Sequence, residues 1–138
     1  VAAFSCTTIN GKSLSELITE NPEKFSDIDF EAIEKKTAET GWDIFSGKNS
    51  TEFGISCVCT EIVRAIYHDE KKIIPCSAFL QGEYGFSDIY AGVPAMIGKD
   101  GIECIIELSL NESEKKKLSN TFDIIRHHVE IGKKSIED

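Results

Sequence analysis

Residue types that usually carry chemistry are present in this chain, but they are scattered. The three histidines are His68, His127 and His128. His127 and His128 read as the last turns of the final helix, where the dipole favours a cation, and His68 as the end of an earlier one. The five cysteines (Cys6, Cys57, Cys59, Cys76 and Cys104) form no Cys-x-x-Cys pair. Cys57 and Cys59 fall on different faces of a helix. Metal binding needs three or four convergent ligands, and no His/Cys spacing here supplies them, so no metal site is expected. An odd cysteine count without a framework reads as reduced, mostly buried thiols in a reducing compartment. Glu31, Glu34, Lys35 and Lys36 read as a solvated helix face. There is no Gly-x-Gly-x-x-Gly phosphate loop and no Gly-x-Ser-x-Gly nucleophile elbow. By local pattern, Thr51 is a helix N-cap or first-turn residue and Ile55, one turn later, a core isoleucine. No catalytic set emerges from the residues themselves.

The elements that must position these groups follow from periodicity. Ala3 to Ile9 reads as a short strand, and Asn10-Gly11 is a turn signal. Ser13 to Ile18 reads as a short helix stopped by Asn21-Pro22. Ser26-x-x-Asp29 resembles a capping box opening a helix from about Asp29 to Ser46. Gly47 to Ser50 breaks it. A second helix then runs to about His68, with Asn49 or Ser50 as N-cap and Glu52 in its first turn. Lys72 to Leu80 is strand-like, and Pro75 inside it suggests an edge or a bulge. Gln81 to Asp88 is a loop. Ile89, Ala91, Val93, Ala95 and Ile97 alternate, giving a strand with one apolar face. Lys99-Asp-Gly101 is a hairpin turn, and Ile102, Cys104, Ile106 and Leu108 alternate in a third strand. Asn111-x-x-Glu114 opens a last helix in which Leu118, Phe122, Ile125 and Val129 make one buried stripe, ended by Gly132 and a charged tail. The expected fold is α+β: a twisted antiparallel sheet with helices packed on one face, in one domain spanning 1–138.

Bulk properties limit the partners. With 138 residues, 41% hydrophobic and 28% charged, the chain suits a soluble globular domain. No apolar run approaches the ~20 residues a bilayer requires. The formal net charge of -9 argues against nucleic acid or an anionic membrane as a general partner. The first residues lack a secretory pattern, and the only methionine is Met96, so Val1 reads as a cleavage or truncation boundary. A cytoplasmic location is expected.

Five segments, in order, resemble the C-terminal substrate domain of the L-lactate/malate dehydrogenases. Val1-Ala-Ala-Phe-Ser5 is similar to the family's Val-Pro-x-Trp-Ser, which closely follows its Gly-Glu-His-Gly-Asp catalytic motif. Asn10-Gly-Lys-Ser-Leu14 is similar to Gly-x-x-Leu, and Lys48-Asn-Ser-Thr-Glu-Phe-Gly-Ile55 to Lys-Gly-x-Thr-x-x-x-Ile. Gly82-Glu-Tyr-Gly85 with Asp88-Ile-Tyr-Ala-Gly-Val-Pro94 resembles the strand hairpin, and Glu107 to Lys115 the entry to the last helix. The chain departs from the pattern at Ala2, Phe4, Trp42 and Asn49, where relatives carry Pro, Trp, Tyr and Gly.

The resemblance implies a site. Thr51 matches the substrate-pocket threonine beside the 2-oxo acid side chain, and Ile55 the isoleucine against the nicotinamide ring. It implies NAD as cofactor, bound mainly by an N-terminal Rossmann domain absent from this chain. The catalytic His, its Asp and the two Arg would also lie upstream of Val1, so the isolated chain is expected to be inactive. It implies a dimer or tetramer, with the helix from Asp29 to Ser46 near a neighbour's active site, and a small 2-oxo or 2-hydroxy acid as substrate. An L-lactate dehydrogenase domain is the leading expectation. Alternatives are a malate or bulkier 2-hydroxy acid dehydrogenase domain and a non-catalytic assembly domain.

Overall fold

The computed structural model describes residues 1–137 and divides into two compact units. The first joins Val1–Ile55 to Ser109–Lys115; the second contains Ser56–Leu108 and the helix from Lys116 on. Among the described residues, no helix is long and apolar enough to cross a membrane.

In the first unit, Phe4–Cys6 forms a single 3-10 turn where a strand is expected, and pairing is limited to β1 (Thr8–Ile9) and β2 (Lys12–Ser13). Phe4 is turned by this geometry onto Phe30, edge to face, with ring centres 5.1 Å apart. Asn10 and Gly11 take positive φ (52° and 83°), the type I′ geometry a two-residue hairpin needs. α1 (Leu14–Glu20) starts in a full capping box. The Ser13 hydroxyl accepts the Glu16 N–H, and the Glu16 carboxylate accepts the Ser13 N–H. α2 (Pro22–Phe25) begins on Pro22. α3 (Phe30–Lys48) is capped by Asp29, whose carboxylate accepts the Ala32 N–H at 2.9 Å. Ser26 does not take part in that cap. Its hydroxyl donates to the Glu23 carbonyl, because the Ser26 backbone is already helical. α3 also runs through Gly47 and stops one residue later, at left-handed Asn49. The Glu114 carboxylate, almost fully buried, accepts the Ser5 N–H and hydroxyl. Asn111 and Glu114 also cap each other's N–H groups, at 3.1 and 2.9 Å, to open α5 (Glu112–Glu137).

The second unit is built on an antiparallel sheet of order β3-β4-β5: Lys72–Gln81, Ser87–Gly98 and Gly101–Ile105. Pro75 sits within β3, an edge strand, where a missing N–H does no harm; the bulge falls at Leu80/Gln81 instead. The alternation in β4 holds: Ile89, Ala91, Val93, Ala95 and Ile97 are all buried on one face. Two helices cover that face. Phe122, Leu118 and Ile125 of α5 pack on the Ile89–Val93 end with Ala78 and Leu80 of β3. Ala65, Ile62 and Ile66 of α4 (Glu52–Tyr67) pack on Ala95 and Ile97 with Ile74. The twisted sheet with helices on one face is therefore present.

β5 departs from expectation. A register irregularity opposite Met96/Ile97 lets Ile97 face Ile102 while Met96 faces Cys104, leaving Glu103 as the extra residue. That bulge reverses the strand's facing. Ile105, opposite buried Ala95, packs on the core, whereas Ile102 and Cys104 are exposed. The strand ends at Ile105, so Ile106 and Leu108 lie beyond it. α5 likewise passes through Gly132 to Glu137, and Val129 is exposed, so only Leu118, Phe122 and Ile125 of the stripe are covered. His127 and His128 consequently sit well inside α5 and not in its final turns. Cys57, Cys59 and Cys104 are exposed and Cys6 and Cys76 half-covered, contrary to the expectation of buried thiols. Burial pushes the Cys76 thiol up from its ordinary value.

Candidate functional site

The segment joining α3 to α4 holds Thr51 and leads into Ile55, the two residues singled out by resemblance. It lies within the first unit. Asn49, at φ 59°, ends α3 by donating its N–H to the Phe45 carbonyl at 2.6 Å. Three residues, Asn49, Ser50 and Thr51, then separate the helices, and Thr51 immediately precedes Glu52, the first residue of α4. Asn49 is thus the C-cap of α3 and not the N-cap of α4.

Thr51 is exposed, and Ile55 is 62% exposed. Thr51 stands one residue ahead of α4 and Ile55 lies in the helix's first turn, both with their side chains in the open. The reading of Ile55 as a core residue is corrected: the apolar core of α4 begins further along, at Ile62 and Ala65.

Charges frame this segment. Lys48 Nζ lies 3.4 Å from Glu52 Oε1 and 4.0 Å from the centre of the Phe53 ring. The Glu52 carboxyl is held below its ordinary value, first by the Ser50 hydroxyl, then by backbone hydrogen bonding and Lys48. A carboxylate at a helix start is also favoured by the dipole.

Elsewhere, a groove of about 250 Å³ runs along α4, lined by Cys57, Val58, Thr60, Glu61 and Arg64. All five belong to one helix, and neither Thr51 nor Ile55 contributes. Among the described residues, no three His, Cys, Asp or Glu side chains gather as metal ligands.

The hairpin region is held by Tyr84. Its φ of 54° places it between Gly82 and Gly85 in a 3-10 turn. Its hydroxyl donates to the Ile106 carbonyl and accepts the Leu108 N–H, both at 3.0 Å. The Glu107 carboxylate accepts the Tyr84 N–H. These contacts fasten the chain between β5 and α5.

The architecture defines an α/β C-terminal domain, and comparison with known proteins agrees. The lactate/malate dehydrogenase alpha/beta C-terminal domain family matches residues 1–136, and the chain belongs to this family. An L-lactate dehydrogenase of Fusobacterium nucleatum is 45% identical over 133 residues, 96% of this chain and 42% of that protein. An L-lactate dehydrogenase 3 of Bacillus anthracis is 40% identical over 129 residues, 94% of this chain and 41% of that protein. Among solved structures, a lactate dehydrogenase from a Medee basin deep-sea metagenome library superposes with a TM-score of 0.82 at 30% identity, covering 94% of this chain and 41% of that one. The malate dehydrogenase from Aeropyrum pernix gives a TM-score of 0.72 at 38% identity, covering 89% and 39%. The chain thus spans about two fifths of the length of the proteins it matches.

Proposed function

We propose that this chain is the substrate and oligomerisation domain of an NAD-dependent L-lactate dehydrogenase that interconverts pyruvate and L-lactate. The observation that carries the reading is the Lys48–Ile55 segment. It leaves Thr51 and Ile55 uncovered, and by resemblance these match the family's substrate and nicotinamide positions, in a chain 45% identical over 133 residues to an L-lactate dehydrogenase. NAD supplies the hydride chemistry when bound. This chain's share is selection and placement. Thr51 borders the 2-oxo acid side chain, and its small volume admits a methyl group while crowding a longer one. Ile55 gives the nicotinamide ring an apolar surface and keeps water from that side.

The general acid/base histidine, its aspartate and the substrate-binding arginines belong, in this reading, to the part of the enzyme preceding Val1, as does the dinucleotide fold. The whole enzyme is a cytoplasmic homo-oligomer, and residues 1–138 act as one domain of it. Support comes from α3 and α4, which leave Ile33, Trp42, Phe45, Phe53 and Ile55 uncovered in this chain.

The Aeropyrum pernix malate dehydrogenase favours a second reading, the same domain serving a 2-hydroxy dicarboxylic acid. The test is a kinetic comparison in the full-length enzyme with NADH. Pyruvate, 2-oxobutyrate and oxaloacetate are assayed with wild type and Thr51→Ala. Preference for pyruvate, relaxed towards 2-oxobutyrate by Thr51→Ala, supports the reading. Preference for oxaloacetate moves it to the second. No effect of Thr51→Ala on kcat/KM ratios removes Thr51 from the pocket.

A further inference from the structure

We propose that Lys48 is a positioning residue for the substrate, acting through Thr51; the inference rests on the reading of Thr51 as a pocket residue. Thr51 sits in a three-residue link between two helices, and such a link has no regular hydrogen bonds to fix it. Lys48 precedes that link, and its ammonium reaches across to the two residues that follow Thr51. It is 3.4 Å from the Glu52 carboxylate and 4.0 Å from the centre of the Phe53 ring. The contact shows in its covering: the Lys48 side chain is 36% exposed, against 77% for Lys35 and 70% for Lys36 on the same helix.

Two further features close the same link. The Ser50 hydroxyl bonds to Glu52, and left-handed Asn49 is tied to Phe45. Asn49, Ser50 and Thr51 are thereby tied on both sides, to Phe45 of α3 and to Glu52 of α4, and Lys48 adds its contacts on the α4 side. Lysine suits this role because a compact ammonium on a long apolar stem can face a carboxylate and an aromatic ring together. The charge lies next to Thr51 in sequence but contacts its successors, so it acts on where the threonine stands and not on the substrate directly.

The experiment is a double-mutant cycle in the full-length enzyme, measured with NADH and pyruvate. It uses Lys48→Met, which keeps the stem, Lys48→Arg, which keeps the charge, and each in the Thr51→Ala background, with melting temperatures alongside. Exposed ion pairs and cation–π contacts are individually weak, so Lys48→Met should raise KM for pyruvate about three- to ten-fold, with kcat within about two-fold. Lys48→Arg should restore most of the loss. In the Thr51→Ala background, Lys48→Met should add nothing. The proposal is overturned if Lys48→Met leaves KM unchanged, or if it raises KM equally with and without Thr51. A fall in kcat matched by a fall in melting temperature, unrescued by arginine, also overturns it, since that is loss of fold. If Thr51→Ala itself changes neither KM nor the pyruvate to 2-oxobutyrate ratio, the pocket reading fails and takes this proposal with it. If Thr51→Ala acts and Lys48→Met does not, only the positioning role falls.

Discussion

Phe122 and Val129 lie on the same helical stripe of α5, seven residues apart, yet the fold treats them differently. Phe122 is 1% exposed, wedged against Leu80, Ile89 and Val93, with its ring 4.5 Å from that of Phe86 in an edge-to-face pair. Val129 is 48% exposed. Truncating a buried phenylalanine removes its transfer energy and leaves a cavity, about 3–5 kcal/mol together. The lost ring pair adds towards the upper end. Val129→Ala removes two methyl-sized groups from a site already half in water, so its cost should stay near ~0.5 kcal/mol. Domains of this size hold only ~5–15 kcal/mol, so Phe122→Ala spends a large fraction of the total. The assay is urea unfolding followed by far-UV circular dichroism. With a slope of ~1.5–2 kcal/mol per molar urea, a loss of about 4 kcal/mol moves the midpoint down by about 2–3 M. Val129→Ala should move it by only a few tenths. Equal shifts for the two variants would refute the placement of α5 on the sheet, since they would require the whole stripe to be covered.

Three further outcomes are expected. Tyr84→Phe removes one hydroxyl that serves two backbone groups, the Ile106 carbonyl and Leu108 N–H, and should cost about 1–3 kcal/mol in a thermal melt; a change below measurement error would mean that water replaces it freely. Glu16 and Glu52 are both held below their ordinary values, Glu16 chiefly by the Ser13 hydroxyl and Glu52 chiefly by the Ser50 hydroxyl. Depressed carboxyls contribute stability at pH values above their unfolded-state range and lose it as pH falls through the folded value, so the melting temperature should drop on acidification. Glu52→Gln should flatten part of that drop, and an unchanged acid limb would argue against the Glu52 contacts. The isolated 138 residues should not oxidise NADH with pyruvate, and measurable turnover would mean that catalytic groups lie inside this chain.

Local patterns disclosed much of this fold where the periodicity is undisturbed. β4 alternates cleanly for nine residues because its pairing with β3 stays in register along Ile89–Ile97. The capping signal at Asn111 is legible because it joins residues only three apart, whereas the equally local box at Ser13 shows only in the structure. β5 misled for a reason outside its own residues: the bulge depends on pairing with Met96 and Ile97, and one extra residue inverts every side chain after it. The end of α5 misled because glycine weakens a helix by only ~1 kcal/mol, which a long amphipathic helix tolerates. Thr51 and Ile55 were reached through resemblance. Their spacing suits many helices, and whether either side chain is covered is settled only once the chain is folded. Lys48 stands in the resembling segment, but nothing in a lysine at a helix end tells that its ammonium turns to the next helix.

The bond from Ser5 to Glu114 has a consequence for how the chain comes together. Its partners are 109 positions apart. The logarithmic cost of closing such a loop is on the order of 4 kcal/mol, due before the contact returns anything. Because the first unit is made of Val1–Ile55 and Ser109–Lys115, it cannot be finished until Ser109–Lys115 has been made. At a synthesis rate of ~5–20 residues per second, the amino-terminal stretch waits several seconds for its closing segment. During that interval the Phe4–Phe30 ring pair lacks the segment that completes its unit, and the stretch is open to capture by chaperones or by another nascent copy. Glu114 therefore acts as a latch in time as well as in space, and slow synthesis between Ile55 and Ser109 would lengthen that vulnerable period.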